Sequence, residues 1–133
     1  MKVLHTLIRV YIEKEQLDDT ITFYENLFHQ QCSLRAEYEE KDLQLAVVDH
    51  TLIIAGTAEA RVPFQATNAT LLVSDIHGLK DYLLKEGAKV LEEPQKVPTG
   101  WNMLVEHPDG IRVEYVEHVQ EDVQTINVAK SRT

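Results

Sequence analysis

Five polar side chains, His5, Arg9, Asn68, Arg112 and Glu114, fall in runs that otherwise read as β-strands. Successive residues of a strand point to opposite faces. Placing His5 on one face therefore puts Leu7 and Arg9 beside it and leaves Thr6, Ile8 and Val10 on the other. The same alternation groups Asn68, Thr70 and Leu72, then Arg112, Glu114 and Val116, with Leu52 and Ile54 from a further run. The opposite sets, such as Ala69, Leu71 and Val73, are almost wholly apolar, so the pattern predicts apolar faces packed on helices and a polar pocket on the other side. What the pocket can do depends on its pairing. An ion pair of Arg9 or Arg112 with Glu114 would hold the carboxylate ionised. Without that pair, two guanidinium groups make an anion site with bidentate geometry. Trp101, the one tryptophan, follows Pro98-Thr99-Gly100 and is expected either to wall a planar or apolar ligand or to cover the end of a sheet. The other histidines, His29, His50, His77, His107 and His118, fall at expected helix ends, turns or the tail and read as solvated. Ser/His/Asp triads and phosphate-cradling glycine loops are absent, since none of the 5 glycines forms such a pattern.

The elements that must position these groups come from one domain-sized chain of 133 residues, with ordinary globular composition at 44% hydrophobic and 26% charged. Its net charge of −9 is spread evenly: 6 basic and 11 acidic residues precede Asn68 in residues 1–66, and 7 and 11 follow. A field of that sign, with no Lys/Arg cluster, argues against nucleic acid as a partner. The single Cys32 excludes an intramolecular disulfide and a multi-cysteine zinc site, and fits a reducing cytosol. Met1-Lys2-Val3-Leu4-His5 opens directly into patterned sequence, so no signal peptide is expected. No apolar run approaches the roughly 20 residues that span a bilayer. The expected protein is cytoplasmic, with a small molecule as its partner and neither nucleic acid nor membrane.

Leu17, Ile21, Tyr24 and Phe28 fall at helical spacing, with Phe23 and Leu27 widening the stripe and Asp18 and Asp19 at the positive end of the helix dipole. Ile76, Leu79 and Leu83 mark a second helix, with Asp75 as N-cap and Gly87 as stop. Strands are expected over 3–11, 33–38, 43–48, 52–55, 67–73, 88–91, 101–105 and 111–116, with a loop at Pro94…Pro98. His107-Pro108-Asp109-Gly110 is a hairpin turn in which proline presets φ and glycine admits positive φ; Asp49-His50 is its counterpart. The order is one βαβββ unit written twice: 1–56, a connector at 57–66, 67–118, and a polar tail at 119–133. Setting Val10 on Val73 is an offset of 63 and lays His5 over Asn68, whereas Ile54 over Glu114 is an offset of 60. A unit of this size cannot bury its sheet face alone, so two must pair.

His5-Thr6-Leu7-Ile8-Arg9-Val10, the run Leu17 to Phe28, Val73-Ser74-Asp75-Ile76, Gly87-Ala88 and His107-Pro108-Asp109-Gly110-Ile111-Arg112-Val113-Glu114 together resemble the vicinal oxygen chelate superfamily. That group holds glyoxalase I, bleomycin-resistance proteins and extradiol dioxygenases, and the resemblance runs from Val3 to Glu117. It implies an α+β fold in which two βαβββ modules form a cupped, partly open mixed β-barrel with helices outside, assembled as a homodimer. It also implies ligand-binding roles for His5, Arg9, Asn68, Trp101 and Arg112. Metal ligands of the family carried over by position are His5, Ile54, Asn68 and Glu114. His5 and Glu114 suit a divalent metal, whereas Ile54 has no donor and the Asn68 amide is weak. The resemblance therefore points first to a small-molecule-binding protein that sequesters its ligand without a metal cofactor. The alternative is a nickel-, zinc- or iron-dependent glyoxalase-type lyase, isomerase or dioxygenase, with Glu114 as catalytic proton shuttle.

Overall fold

A computed structural model of the chain describes residues 2–97 and 99–119. The expected tail therefore lies, beyond Val119, outside the described residues, as does Pro98. Thirteen elements follow in order, of which eight are strands. The first module comprises β1 (Val3–Ile12), α1 (Leu17–Phe28), β2 (Leu34–Tyr38), β3 (Leu43–Val48) and β4 (Thr51–Ala55). A short helix α2 (Ala58–Arg61) occupies the connector. The second module comprises β5 (Ala69–Val73), α3 (Ile76–Lys85), β6 (Lys89–Val97), β7 (Gly100–Glu106) and β8 (Arg112–His118). Both modules thus realise the βαβββ order, in an α+β mixed sheet.

In the first module β2, β3 and β4 are antiparallel neighbours and β1 adds in parallel to β4, from Ile8 opposite Thr51 to Ile12 opposite Ala55. A parallel neighbour needs a long crossover, which α1 and the two outer strands supply. The core of this module joins Leu17 and Ile21 of α1 to Ala46, Val48, Ile53 and Ala55, with Ile12, Tyr24, Phe28 and Cys32 packed around it. Phe23 and Leu27, expected to widen the buried stripe, instead stand 59% and 55% exposed. They lie on the flank of α1 turned from the sheet, because a four-stranded sheet covers only one stripe of the helix. Ile8, on the same face of β1 as Ile12, is 56% exposed.

The second module repeats the pattern. β5 and β8 run parallel, β8 and β7 antiparallel, and β7 and β6 antiparallel. Its core joins Ile76 and Leu79 of α3 to Val73, Ala88, Met103, Val105, Val113 and Tyr115. Asp75 caps α3 as expected, its carboxylate accepting from Gly78 N at 3.1 Å, and Glu117 of β8 accepts from Ile76 N at 2.8 Å. α1 has no side-chain cap; a 3₁₀ turn at Lys14–Gln16 leads into it. β6 continues through Pro94, where a loop was expected. Its pairing slips between Val90 and Gln95, and β6 is the outer strand of its module, so the proline's missing N–H faces no ladder partner. The His107–Gly110 turn forms as expected: Gly110 sits at φ 91°, and Ile111 N reaches Asp109 Oδ1 at 3.0 Å.

The chain divides into two compact units at the end of the connector, between Ala66 and Thr67, and once more inside β1. Among the described residues, the start of β1, up to Leu7, groups with residues 67–119, while Ile8 to Ala66 form the other unit. Ser74 N donates to Lys2 O at 2.9 Å within the first of these. Among the described residues, no helix is long and apolar enough to cross a membrane.

Candidate functional site

The second module carries a polar cluster on the sheet face turned from α3. Leu71, Val73, Met103, Val105, Val113 and Tyr115 all join the α3 core, so alternation leaves Thr70, Leu72, Asn102, Leu104, Glu114 and Val116 on the opposite face. The register brings these together: Thr70 lies opposite Glu114 across the parallel β5/β8 pair, Leu104 lies opposite Glu114, and Asn102 opposite Val116. Thr70 Oγ1 donates to Glu114 Oε1 at 3.1 Å, and Asn102 Nδ2 donates to Oε2 at 3.4 Å. Asn102 Oδ1 is sealed from solvent and has no hydrogen-bond partner in the protein. A sealed carbonyl without a donor costs about 1–3 kcal/mol, and Thr51 Oγ1 of the first module is sealed in the same way. His118, four residues past Glu114, is half-buried, not solvated as expected. Its burial lowers its pKa below the ordinary histidine value, and the Glu114 carboxylate opposes that shift.

Of the residues expected to bind ligand or metal, Glu114 lies at the centre of this cluster. Asn68, exposed just before β5, is committed to β8: its Oδ1 accepts from Arg112 N at 3.0 Å and its N–H donates to Arg112 O at 2.8 Å. Arg112 is exposed, and its side chain turns to Glu106 at 3.6 Å. Of the alternatives left open for Arg112, a pair with Glu114 or an anion site, neither forms here: it pairs across the strands with Glu106, which the β7/β8 register sets opposite. Trp101 packs against the α3 core with its ring edge-on to His77 at 5.1 Å and Lys96 Nζ 5.9 Å from its centre. It therefore covers the helix side of its sheet, on the face away from Glu114. His5 is half-buried in the stretch of β1 that groups with the second module.

Arg9 belongs to the other unit. Its Nη1 donates to Tyr11 Oη at 2.8 Å and to Phe64 O at 3.3 Å, while the Tyr11 hydroxyl donates to the same carbonyl at 2.5 Å. Arg61 adds a bond to Gly56 O at 3.0 Å and an ion pair with Glu13 at 2.6 Å. These contacts fasten the connector to β1, so part of the donor capacity expected for an anion site is spent on backbone.

The register also corrects the alignment of the two modules. Partners are 43 positions apart in the first (Ile8 to Thr51) and 44 in the second (Thr70 to Glu114). Offsets of 63 for the first strands and 60 for the last cannot both hold. Keeping His5 over Asn68 sets Thr70 over Leu7 and Glu114 over His50, whose carbonyl accepts from Ile8 N at 2.8 Å; Ile54 instead faces Tyr11. Ile54 is 2% exposed and apolar, and Asn68 Oδ1 is already engaged. Among the described residues no three His, Cys, Asp or Glu side chains gather closely enough to hold a metal ion. The donor set carried over from the family does not fit a divalent ion.

Sequence reasoning missed Asn102 and Tyr11 as site-forming residues and left Thr70 and His118 without a role. Alternation from Glu114 would have placed His118 on its face. Asn102 needed the β7/β8 register, which no local signal in the sequence states.

No family model matches the sequence. The chain is similar to a lactoylglutathione lyase of Neisseria meningitidis, 26% identical over 129 residues, covering 88% of this chain and 91% of that protein. Among solved structures it is similar to an uncharacterized protein from Methanosarcina mazei, at 41% identity and TM-score 0.82 over 90% of this chain and 95% of that one. Methylmalonyl-CoA epimerase from Mycobacterium tuberculosis shares the fold, with TM-score 0.68 over 92% and 93% of the two chains at 14% identity. With two βαβββ modules in sequence and these structural neighbours, the chain has the fold of the vicinal oxygen chelate superfamily.

Proposed function

We propose that the chain binds a small organic molecule, without a metal, on the second-module face that carries Thr70, Asn102 and Glu114. The observation that carries this reading is the sealed, unpartnered Asn102 Oδ1 beside a carboxylate that takes donors on both oxygens. Around it Leu72, Leu104 and Val116 supply the apolar surface that small-molecule sites need. His5 remains a candidate wall of the site. Arg9, Asn68, Arg112 and Trp101 support it only indirectly, through the contacts described above.

A second reading is favoured by the lactoylglutathione lyase to which the chain is similar. In it, His5 and Glu114 would hold nickel, zinc or iron(II), and the Glu114 carboxylate would be the group to move a proton beside a substrate carbonyl. Elemental analysis of protein purified without chelator, followed by calorimetric titration with each metal, separates the two. The expected result is no stoichiometric binding. Near-unit stoichiometry, abolished by His5→Ala and by Glu114→Ala, would overturn the metal-free reading. A homodimer is the assembly that goes with either reading, and light scattering on the full chain tests it.

A further inference from the structure

The two modules finish their outer edges differently. In the second, the outer strand β6 has its pairing slipped between Val90 and Gln95, a proline at Pro94, and charged side chains at Lys89, Glu92, Glu93 and Lys96. Those are the devices that keep an outer strand from pairing with another chain. In the first, the outer strand is β2, and it has neither proline nor slip. Leu34 to Tyr38 run opposite Val47 to Leu43 in unbroken register. Among the described residues the other edge of β2 meets no strand, so it presents a row of backbone N–H and C=O groups that a further strand can take up.

The side chains of β2 select that strand. Arg35 lies opposite Ala46, a residue of the α1 core, and its guanidinium reaches Asp18 of α1 at 2.7 Å. Arg35 and Glu37 therefore stand exposed on the α1 side, while Leu34, Ala36 and Tyr38 are half-buried on the other. Set antiparallel to itself and centred on Ala36, the strand is its own complement. Arg35 then faces the partner's Glu37, Glu37 faces the partner's Arg35, and Leu34 faces the partner's Tyr38 in two apolar pairs. Neighbouring centres fail. Centring on Arg35 or on Glu37 sets that residue against its own copy, and like charges directly opposite destabilise a sheet. Arg35 can serve Asp18 and a second carboxylate together, since a guanidinium carries five N–H donors. Two copies of a chain with net charge −9 repel at long range, so their contact belongs where each offers a cation to the other's anion.

We infer that a second copy of this chain docks on β2, antiparallel about a two-fold axis at Ala36, so that the first module's sheet continues from one protomer into its partner. This gives a surface to the homodimer named above and does not depend on what the second module binds. A five-residue ladder is small beside a standard interface, so the dimer is reversible and dissociates on dilution.

Light scattering and sedimentation of the full chain over a concentration series provide the test. The parent is expected to pass from the mass of one chain, 15.2 kDa, to twice that value as concentration rises. Arg35→Glu sets two carboxylates face to face across the axis, and Glu37→Arg sets two guanidinium groups face to face. Each alone should weaken dimerisation about tenfold or more. An equimolar mixture of the two single variants restores both opposite-charge contacts and should dimerise as tightly as the parent, which a loss of folding cannot imitate. The double variant Arg35→Glu/Glu37→Arg should do the same with itself. A parent that stays monomeric at every concentration overturns this inference together with the homodimer. A parent dimer that neither single variant weakens overturns the β2 surface and leaves the homodimer standing. Weakened single variants that mixing does not rescue overturn the β2 surface as well.

Discussion

The two modules share one chain order and differ in what their parallel inner strands carry. In the first module, β4 from Thr51 to Ala55 is buried throughout and offers Leu52 and Ile54 to the face opposite α1. In the second, β8 presents Glu114 on the face turned from α3, held by Thr70 and Asn102. The same topology therefore carries apolar Leu52 and Ile54 on the inner strand of one copy and a polar cluster on that of the other. The difference teaches that the βαβββ frame depends on its helix-side residues, which are apolar in both modules, and leaves the other face available for chemistry.

The comparison breaks most severely if the two inner strands exchange character. Ile54→Glu would place a carboxylate at a position 2% exposed with no designated donor, and the expected loss is on the order of 3–5 kcal/mol in urea denaturation. A loss below about 1 kcal/mol would show that the first module's face is not closed. Glu114→Leu in the second module leaves the Thr70 hydroxyl and the Asn102 amide without this acceptor and should cost about 1–3 kcal/mol. Gly100 gives a further contrast, since it sits at φ 144° and a Cβ there would collide with the Glu117 carbonyl; Gly100→Ala should lower the melting temperature more than Gly110→Ala, where nothing lies within reach.

A smaller effect is expected in the first module's fastening. Tyr11→Phe removes one of two donors to Phe64 O and should cost about 1 kcal/mol, read together with faster proteolysis of the connector at 57–66. The smallest effect is electrostatic. Burial lowers the His118 pKa in the folded protein, so below its unfolded value, about 6.5, the unfolded chain binds the proton more readily. Stability contributed by neutral His118 is then present above that pH and lost as pH falls through the folded value. His118→Gln should flatten this acid-side slope relative to the parent chain; an unchanged slope would place His118 in open solvent.

How much of this was legible in sequence follows from the range of each interaction. Leu17, Ile21, Ile76 and Leu79 announce their helices through local spacing, and Asp75 and Gly110 announce a cap and a turn through their own chemistry. The α+β order of two βαβββ modules follows from those signals. Phe23 and Leu27 mislead because periodicity shows which residues share a stripe, not how much of the stripe the sheet covers. Pro94 misleads because its cost depends on whether a neighbouring strand lies on its N–H side. Of the polar cluster on the second module, only Glu114 was singled out from sequence for chemistry. Asn102, the Arg112–Glu106 pair and the hold of Arg9 and Tyr11 on Phe64 O all depend on register or on a backbone carbonyl some 50 positions away. No local pattern records either.

The membership of β1 in both compact units bears on how the chain comes to be folded at all. Its first residues group with sequence that begins sixty positions later. During synthesis they must therefore wait, unsatisfied, until most of the polypeptide exists. Closing so long a loop is paid in entropy before its contacts form, so assembly should be slow for a chain this short. Cutting at the connector would not yield two autonomous halves: the later fragment would lack part of its own sheet, and the earlier one would present an unmatched strand end to any other chain nearby.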